Sequence, residues 1–275
     1  MERHQRLAGR IALVTGGGRG IGRAISEQLA AEGAAVAVNY RRDGEAAAET
    51  VATIESAGGV ARAYAASVDD ADAMASMVEQ VVGDLGPVDL LVCNAGIASR
   101  GNSVADTDPA ELVRVLNTHA VGAHHACRLV LPGMRTASRG DIVMISSVAA
   151  HTHGANGAPY SMGKAALESL AYTLAKEELP NGVHVNIVAP GLVDTDMGVR
   201  LARAVYADPG MDDLRKLDDR FPFGRVCQPS DIANVVVYLC TDEAGYVTGS
   251  ASSSTAAPAR CEPDQPIRRH RTVVV

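Results

Sequence analysis

The sequence predicts a single-domain α/β fold: a doubly wound parallel sheet with helices on both faces. Three observations carry this. Short apolar runs alternate with longer helix-like segments. Several of the runs are apolar throughout, as strands buried on both faces are. A glycine-rich turn follows the first run and opens a helix.

The first strand is Ile11–Thr15. The segment "GRAISEQLAAEG" follows, with Ile21, Ala24, Ile25 and Leu29 on one helical face and Gly33 as its stop. Further strands are expected at Ala35–Tyr40, Val60–Ala66, Val88–Cys93, Asp141–Ser146 and Val183–Val188. Another helix runs from Pro159. Residues 196–225 hold Met197, Leu201, Val205, Tyr206, Met211, Leu214, Leu217, Phe221 and Phe223 among many charges. They form either a lid with a greasy inner face, suited to an apolar or acyl substrate, or a peripheral helical pair with a small core of its own. No linker-like composition interrupts residues 9–249, which form one domain behind an extension of residues 1–8.

After Gly249 the chain reads "SASSSTAAPARCEPDQPIRRHRTVVV". Residues 250–275 lack strand alternation until the final valines and read as an atypical, disordered tail. The abrupt change of character suggests a reading-frame change in the gene or a replaced C-terminus.

Composition sets limits. Hydrophobic residues make up 47% of the 275, enough for a sizeable core. With no Trp and two Phe, that core must be aliphatic. A net charge of −7 argues against a generalised nucleic-acid surface. Cys93, Cys127, Cys227, Cys240 and Cys261 are scattered without a CxxC pair, so neither a zinc knuckle nor a disulfide framework is indicated. A reducing compartment is expected. The start "MERHQRLAG" lacks an apolar signal core, and no apolar run approaches the ~18 residues of a membrane span. A soluble cytoplasmic protein is the expectation.

"LVTGGGRGIGRAI" spaces its glycines as Gly16-x-x-x-Gly20-x-Gly22, one residue different from GxGxxG. Glycines let a pyrophosphate approach the backbone, and the following helix N-terminus offers free N–H groups. The alternative is a plain tight turn. At the end of the second strand, "VAVNYRRDG" offers Asn39, which does not repel a 2′-phosphate, and Arg41 and Arg42, which can bind one. Arg19 adds positive charge, and Asp43 reads as a helix N-cap. This pattern favours NADP(H) over NAD(H), the alternative being an ordinary solvated charge cluster.

"PYSMGKAALESLAYTLA" holds one of the chain's three lysines, Lys164, one helical turn beyond Tyr160. A free phenol titrates at about 10. A nearby ammonium, joined by an oxidised nicotinamide, would lower that and make Tyr160 a usable acid and base. Ser147 lies thirteen residues earlier, past the strand "DIVMIS", at the ligand-facing end of the sheet. Its hydroxyl could bind a substrate carbonyl. Ser146 competes for this place, since strand alternation turns only one of the two toward the site.

These residues resemble the short-chain dehydrogenase/reductase family, of Rossmann-type fold, over residues 9–249. "TGGGRGIG" resembles its cofactor loop and "CNAG" its NNAG motif, with Cys93 in place of the first asparagine. Ser147, Tyr160 and Lys164 have its Ser-x12-Tyr-x3-Lys spacing, and "VLN" ends on Asn117. "APGLVDTDM" and the region after Phe221 also resemble family segments. The resemblance implies catalytic roles for Asn117, Ser147, Tyr160 and Lys164, with Asn117 holding a water that joins Lys164 to solvent. It implies hydride transfer between NADP(H) and a carbonyl or secondary alcohol, without metal. The implied cofactor set is Gly16, Gly18, Arg19, Gly20, Ile21, Gly22, Asn39, Tyr40, Arg41, Arg42, Val68, Asn94, Ala95, Gly96, Tyr160, Lys164, Pro190, Gly191, Val193 and Thr195. Asn94 would fix the central strand, and Thr195 would bind carboxamide or phosphate. "NY" followed by arginines is most similar to NADPH-dependent 3-oxoacyl-thioester reductases.

Two departures stand out. Ser67 occupies the place where the family commonly has an adenine-binding Asp, leaving the Val68 backbone to contribute. The family also continues after Gly249 with a last strand used in subunit packing. A homo-oligomer, dimer or tetramer, is implied, and weakened if that strand is missing. His151 and His153 either line the substrate mouth with Met197 or are exposed loop residues. Neither they nor His124 and His125 have a third ligand at metal spacing. Besides a ketone reductase, two readings stay open: a polyol, sugar or steroid dehydrogenase, and a nucleotide-binding regulator or inert variant.

Overall fold

Alternate residues of the central strands feed two separate cores. Leu13, Leu91, Ile142 and Met144 join one; Ala12, Val14, Leu90, Val92, Val143 and Ile145 join the other. The computed structural model describes residues 5–206, 208–221 and 223–254. Among these, β1 (Ile11–Val14), β2 (Ala35–Tyr40), β3 (Val60–Ala65), β4 (Leu90–Cys93), β5 (Gly140–Ile145), β6 (Val183–Pro190) and β7 (Ala251–Ser254) form one parallel sheet. Its order is β3-β2-β1-β4-β5-β6-β7. The order reverses between β1 and β4, and the crevice above their C-terminal ends is the switch point where such sheets bind ligands.

Helices cover both faces. α3 (Ala71–Asp84), α5 (Gly122–Met134) and α7 (Ala158–Glu178) bury Met74, Val78, Val130, Leu167 and Leu174 on one. α1 (Gly20–Ala31), α2 (Gly44–Ser56) and α9 (Pro229–Cys240) bury Ile25, Leu29, Ile54, Ile232 and Val236 on the other. Asp43 caps α2 by accepting from the Ala46 N–H. α4 (Pro109–Leu116) runs into α5 through a π turn, Asn117–Val121, where the Gly122 N–H reaches back to the Asn117 carbonyl. Such π turns collect at functional sites. α6 (Ala149–Thr152) and α8 (Asp196–Val205) are the remaining α-helices among the described residues.

Strand ends differ from the sequence-based expectation by one or two residues, at Thr15, Ala66, Val88, Gly140, Ser146 and Pro190. A larger correction concerns the tail. Ala251–Ser254 form β7, in register with Ile187–Pro190. Ladder bonds come from peptide groups, so a serine-rich run pairs without apolar alternation. Asn186 steers the chain in: its Oδ1 accepts from the Ser250 N–H at 3.2 Å and from the Ser250 hydroxyl at 2.9 Å. The rest of the expected tail, with Cys261, lies outside the described residues.

The segment after β6 packs a core of its own from Ala202, Met211, Leu214, Leu217, Phe221 and Val226. Leu201, Val205 and Phe223 stay exposed, and Met197 is half-buried at the start of α8. Residues 196–225 thus hold a small core of their own, beside the apolar side chains that stay exposed. No helix of the described residues is long and apolar enough to cross a membrane.

Candidate active site

The glycine loop leaves β1 with Gly16 at φ +63°, in the left-handed region that disfavours side chains. At Gly22 the constraint is space, because an added Cβ would stand 2.1 Å from the Gly16 carbonyl oxygen. α1 opens at Arg19 with no side-chain cap and no acidic residue in its first turn. Its N–H groups and dipole thus remain available to an anion. Asn94 holds the loop against β4: its Nδ2 donates to the carbonyls of Thr15 and Gly16, each at 3.0 Å. The Thr15 hydroxyl accepts from the N–H groups of Asn94 and Ala95. Thr195 caps α8, and a side chain at Gly20 would come within 3.4 Å of its methyl group. A cradle of glycine backbone, uncapped helix N-terminus and closely approaching β6–α8 loop fits the phosphates of a dinucleotide.

Asn39 needs correction. It is buried, its Oδ1 accepts from the Gly16 N–H at 3.2 Å, and its Nδ2 donates to the Tyr64 and Ala66 carbonyls. It shapes the glycine loop from beneath and turns no polar atom toward a phosphate. Arg41 and Arg42 are exposed just beyond it, and Arg19 approaches Asp43 at 3.8 Å. The Ser67 hydroxyl donates to Asp69, and the Val68 carbonyl is engaged by His125 Nδ1 at 3.1 Å.

At the next crevice wall, three consecutive residues at the end of β5 reach three successive rungs of α7. The Ile145 carbonyl accepts from Lys164 Nζ at 2.7 Å. The Ser146 hydroxyl donates to Glu168 Oε1 at 2.5 Å. The Ser147 hydroxyl donates to the Pro190 carbonyl at 3.4 Å and faces Tyr160, whose phenol it lowers. This resolves the choice between the serines: Ser147 faces Tyr160 and Ser146 faces Glu168. Asn117 is half-buried at the head of the π turn, which packs against α7.

The electrostatics depart from expectation. Burial pushes the Tyr160 phenol above its ordinary value, and the Ser147 hydrogen bond pulls it partly back. Lys164 Nζ sits 5.8 Å from the Tyr160 ring centroid. Burial weakens the lysine's own ammonium, lowering it from 10.5 to about 8. In the protein alone desolvation outweighs the pull of Ser147, and Tyr160 stands as a protonated donor at neutral pH.

His119, two residues past Asn117, was not singled out by sequence. Its ring meets Tyr160 edge-on with centroids 5.1 Å apart, and its Nε2 lies 3.0 Å from the Ile97 nitrogen and 2.9 Å from its carbonyl. Burial, reinforced by Lys164, lowers it to about 3 and keeps it neutral. Glu168 was also missed, although Tyr160, Lys164 and Glu168 repeat at helical spacing. His151 Nε2 lies 3.0 Å from Glu168 Oε2, and its ring lines a groove along α7 with Tyr172 and Lys176. His153, with φ 49°, is exposed at the end of α6. No cluster of three or more His, Cys, Asp or Glu among the described residues is arranged to hold a metal ion.

The family model described as Enoyl-(Acyl carrier protein) reductase matches residues 16–254. The 3-oxoacyl-(acyl-carrier-protein) reductase FabG of Staphylococcus aureus is 37% identical over 239 residues, spanning 86% of this chain and 93% of the relative. Among solved structures, the angucycline C-6 ketoreductase LanV with bound NADP superposes with a TM-score of 0.80 at 31% identity, over 90% of this chain and 95% of that one. A 7α-hydroxysteroid dehydrogenase complexed with NADH and 7-oxo glycochenodeoxycholic acid gives a TM-score of 0.83 at 30% identity, over 94% and 97%.

Proposed function

The chain belongs to the short-chain dehydrogenase/reductase family, whose oxidoreductases use a nicotinamide cofactor, and we propose that it reduces a ketone, most specifically a 3-oxoacyl thioester, with NADPH. The observation that carries this reading is the grouping of Ser147, Tyr160 and Lys164 at the ligand end of β5, with Lys164 Nζ 5.8 Å from the Tyr160 ring and Ser147 facing the phenol. The nicotinamide, when bound, supplies hydride to the carbonyl carbon. Tyr160 gives its phenolic proton to the carbonyl oxygen, and Ser147 donates a second hydrogen bond to that oxygen. A phenol held protonated by burial suits the reductive direction. Lys164 lies where its ammonium favours the phenolate that forms. Asn117, at the head of the π turn, would anchor the water that returns a proton.

NADP(H) is supported by exposed Arg41 and Arg42 at the end of β2 and by LanV, solved with NADP. The thioester class is supported by the likeness to the FabG reductase. The likeness to the 7α-hydroxysteroid dehydrogenase favours a steroid ketone as the second reading. Exposed Val113, Val121, Met162 and Tyr172 on α4, the π turn and α7 support assembly into a homo-oligomer.

The purified protein should consume NADPH with an acetoacetyl thioester faster than with a 7-oxo steroid or a sugar ketone. No turnover of the thioester sinks the substrate assignment, and faster steroid turnover installs the second reading. Ser147→Ala should lower kcat about a hundredfold or more, the usual loss of one donor to a developing oxyanion. NADPH affinity, read by fluorescence titration, should hold. Undiminished kcat would remove Ser147 from the chemistry.

A further inference from the structure

Lys164 is only 4% exposed, yet it must carry charge beside Tyr160. Its Nζ has the neutral Ile145 carbonyl as hydrogen-bond partner. An ammonium so desolvated needs an opposite charge nearby to stay protonated. The groups facing it come from three elements: Cys93 from β4, His119 from the π turn, and Tyr160 and Glu168 from α7. His119 is neutral, and Tyr160 is protonated. Of these four groups Glu168 is the carboxylate.

Glu168 is itself 3% exposed and is held at both oxygens, by the Ser146 hydroxyl and by His151 Nε2. His151 is 63% exposed at its side chain and links this buried carboxylate to solvent. Building a carboxylate into a core where leucine would pack is costly for stability alone. We propose that Glu168 is a positioning residue for the reaction: its anchored carboxylate, one helical turn beyond Lys164, supplies the negative field that keeps the lysine protonated beside Tyr160. This rests on the reading of Tyr160 and Lys164 given above. Burial lowers the lysine, while Cys93 and Glu168 both push it back up, in agreement with that geometry.

The chain has three lysines, and Lys176 and Lys216 are exposed, so lysine labelled with carbon-13 at Cε gives a resolvable NMR titration. Lys164→Arg assigns the buried signal. In the wild type Lys164 should titrate near 8. Removing an anion destabilises the ammonium, so in Glu168→Gln the midpoint should fall by roughly one pH unit. Gln keeps an acceptor for Ser146. The pH profile of ketone reduction should move in the same direction. Should Glu168→Gln not fold, Ser146→Ala/Glu168→Met replaces the pair by apolar groups without orphaning a buried polar atom and predicts the same shift. An unchanged Lys164 midpoint, or a moved midpoint with an unmoved rate profile, overturns the proposal. The titration needs neither cofactor nor substrate, so its failure is separable from failure of the catalytic reading, which Tyr160→Phe reports.

Discussion

Tyr160→Phe is expected to lower kcat/KM for ketone reduction by about a thousandfold or more, at the upper range of what a positioned proton donor contributes. The change deletes one oxygen and keeps the ring. The edge-on contact with His119 and the seat of α7 should therefore persist. Circular dichroism and NADPH affinity then serve as controls, and both should match the wild type. The loss should fall on kcat, because the deleted proton is needed only as the carbonyl oxygen gains charge. Equal rates in both proteins would mean that the phenol takes no part.

The second large effect concerns the nucleotide. Arg41→Ala/Arg42→Ala should raise the Kd for NADPH by about a hundredfold or more, each charge-assisted hydrogen bond to the 2′-phosphate contributing roughly 1.5–3 kcal/mol. NADH, which lacks that phosphate, should bind within about twofold of the wild type, because two exposed side chains add little else. Calorimetric titration with both nucleotides measures the pair. A matched loss for NADH would show that the arginines hold the loop and not the phosphate. Arg19 is left in place because it already approaches Asp43.

What the sequence disclosed follows the range of the interactions involved. Strands such as Leu90–Cys93 are apolar throughout because both faces are buried, and that is readable locally. Tyr160 and Lys164 are readable because helical spacing alone makes them neighbours. Asn39 was misread because its partners, the Gly16 amide and the Tyr64 and Ala66 carbonyls, arrive from other strands and loops. The strand Ala251–Ser254 was missed because its bonds run through peptide groups that every residue has. The partnership of His151 with Glu168 is not readable locally, because they lie seventeen residues apart in the chain and only the packing of α6 on α7 brings them together. Desolvation around Tyr160 depends on the packed fold, so spacing could predict the ammonium's pull but not the burial that opposes it.

The end of β5 pairs one residue with one rung: 145 with Lys164, 146 with Glu168, 147 with Tyr160. Adding or deleting a single codon there would slide the whole set, presenting the wrong hydroxyl to the phenol and stranding a carboxylate. A point substitution in this stretch changes one contact, whereas an indel changes all three at once, so the spacing between this strand end and the helix constrains variation alongside the identities of Ser147 and Tyr160.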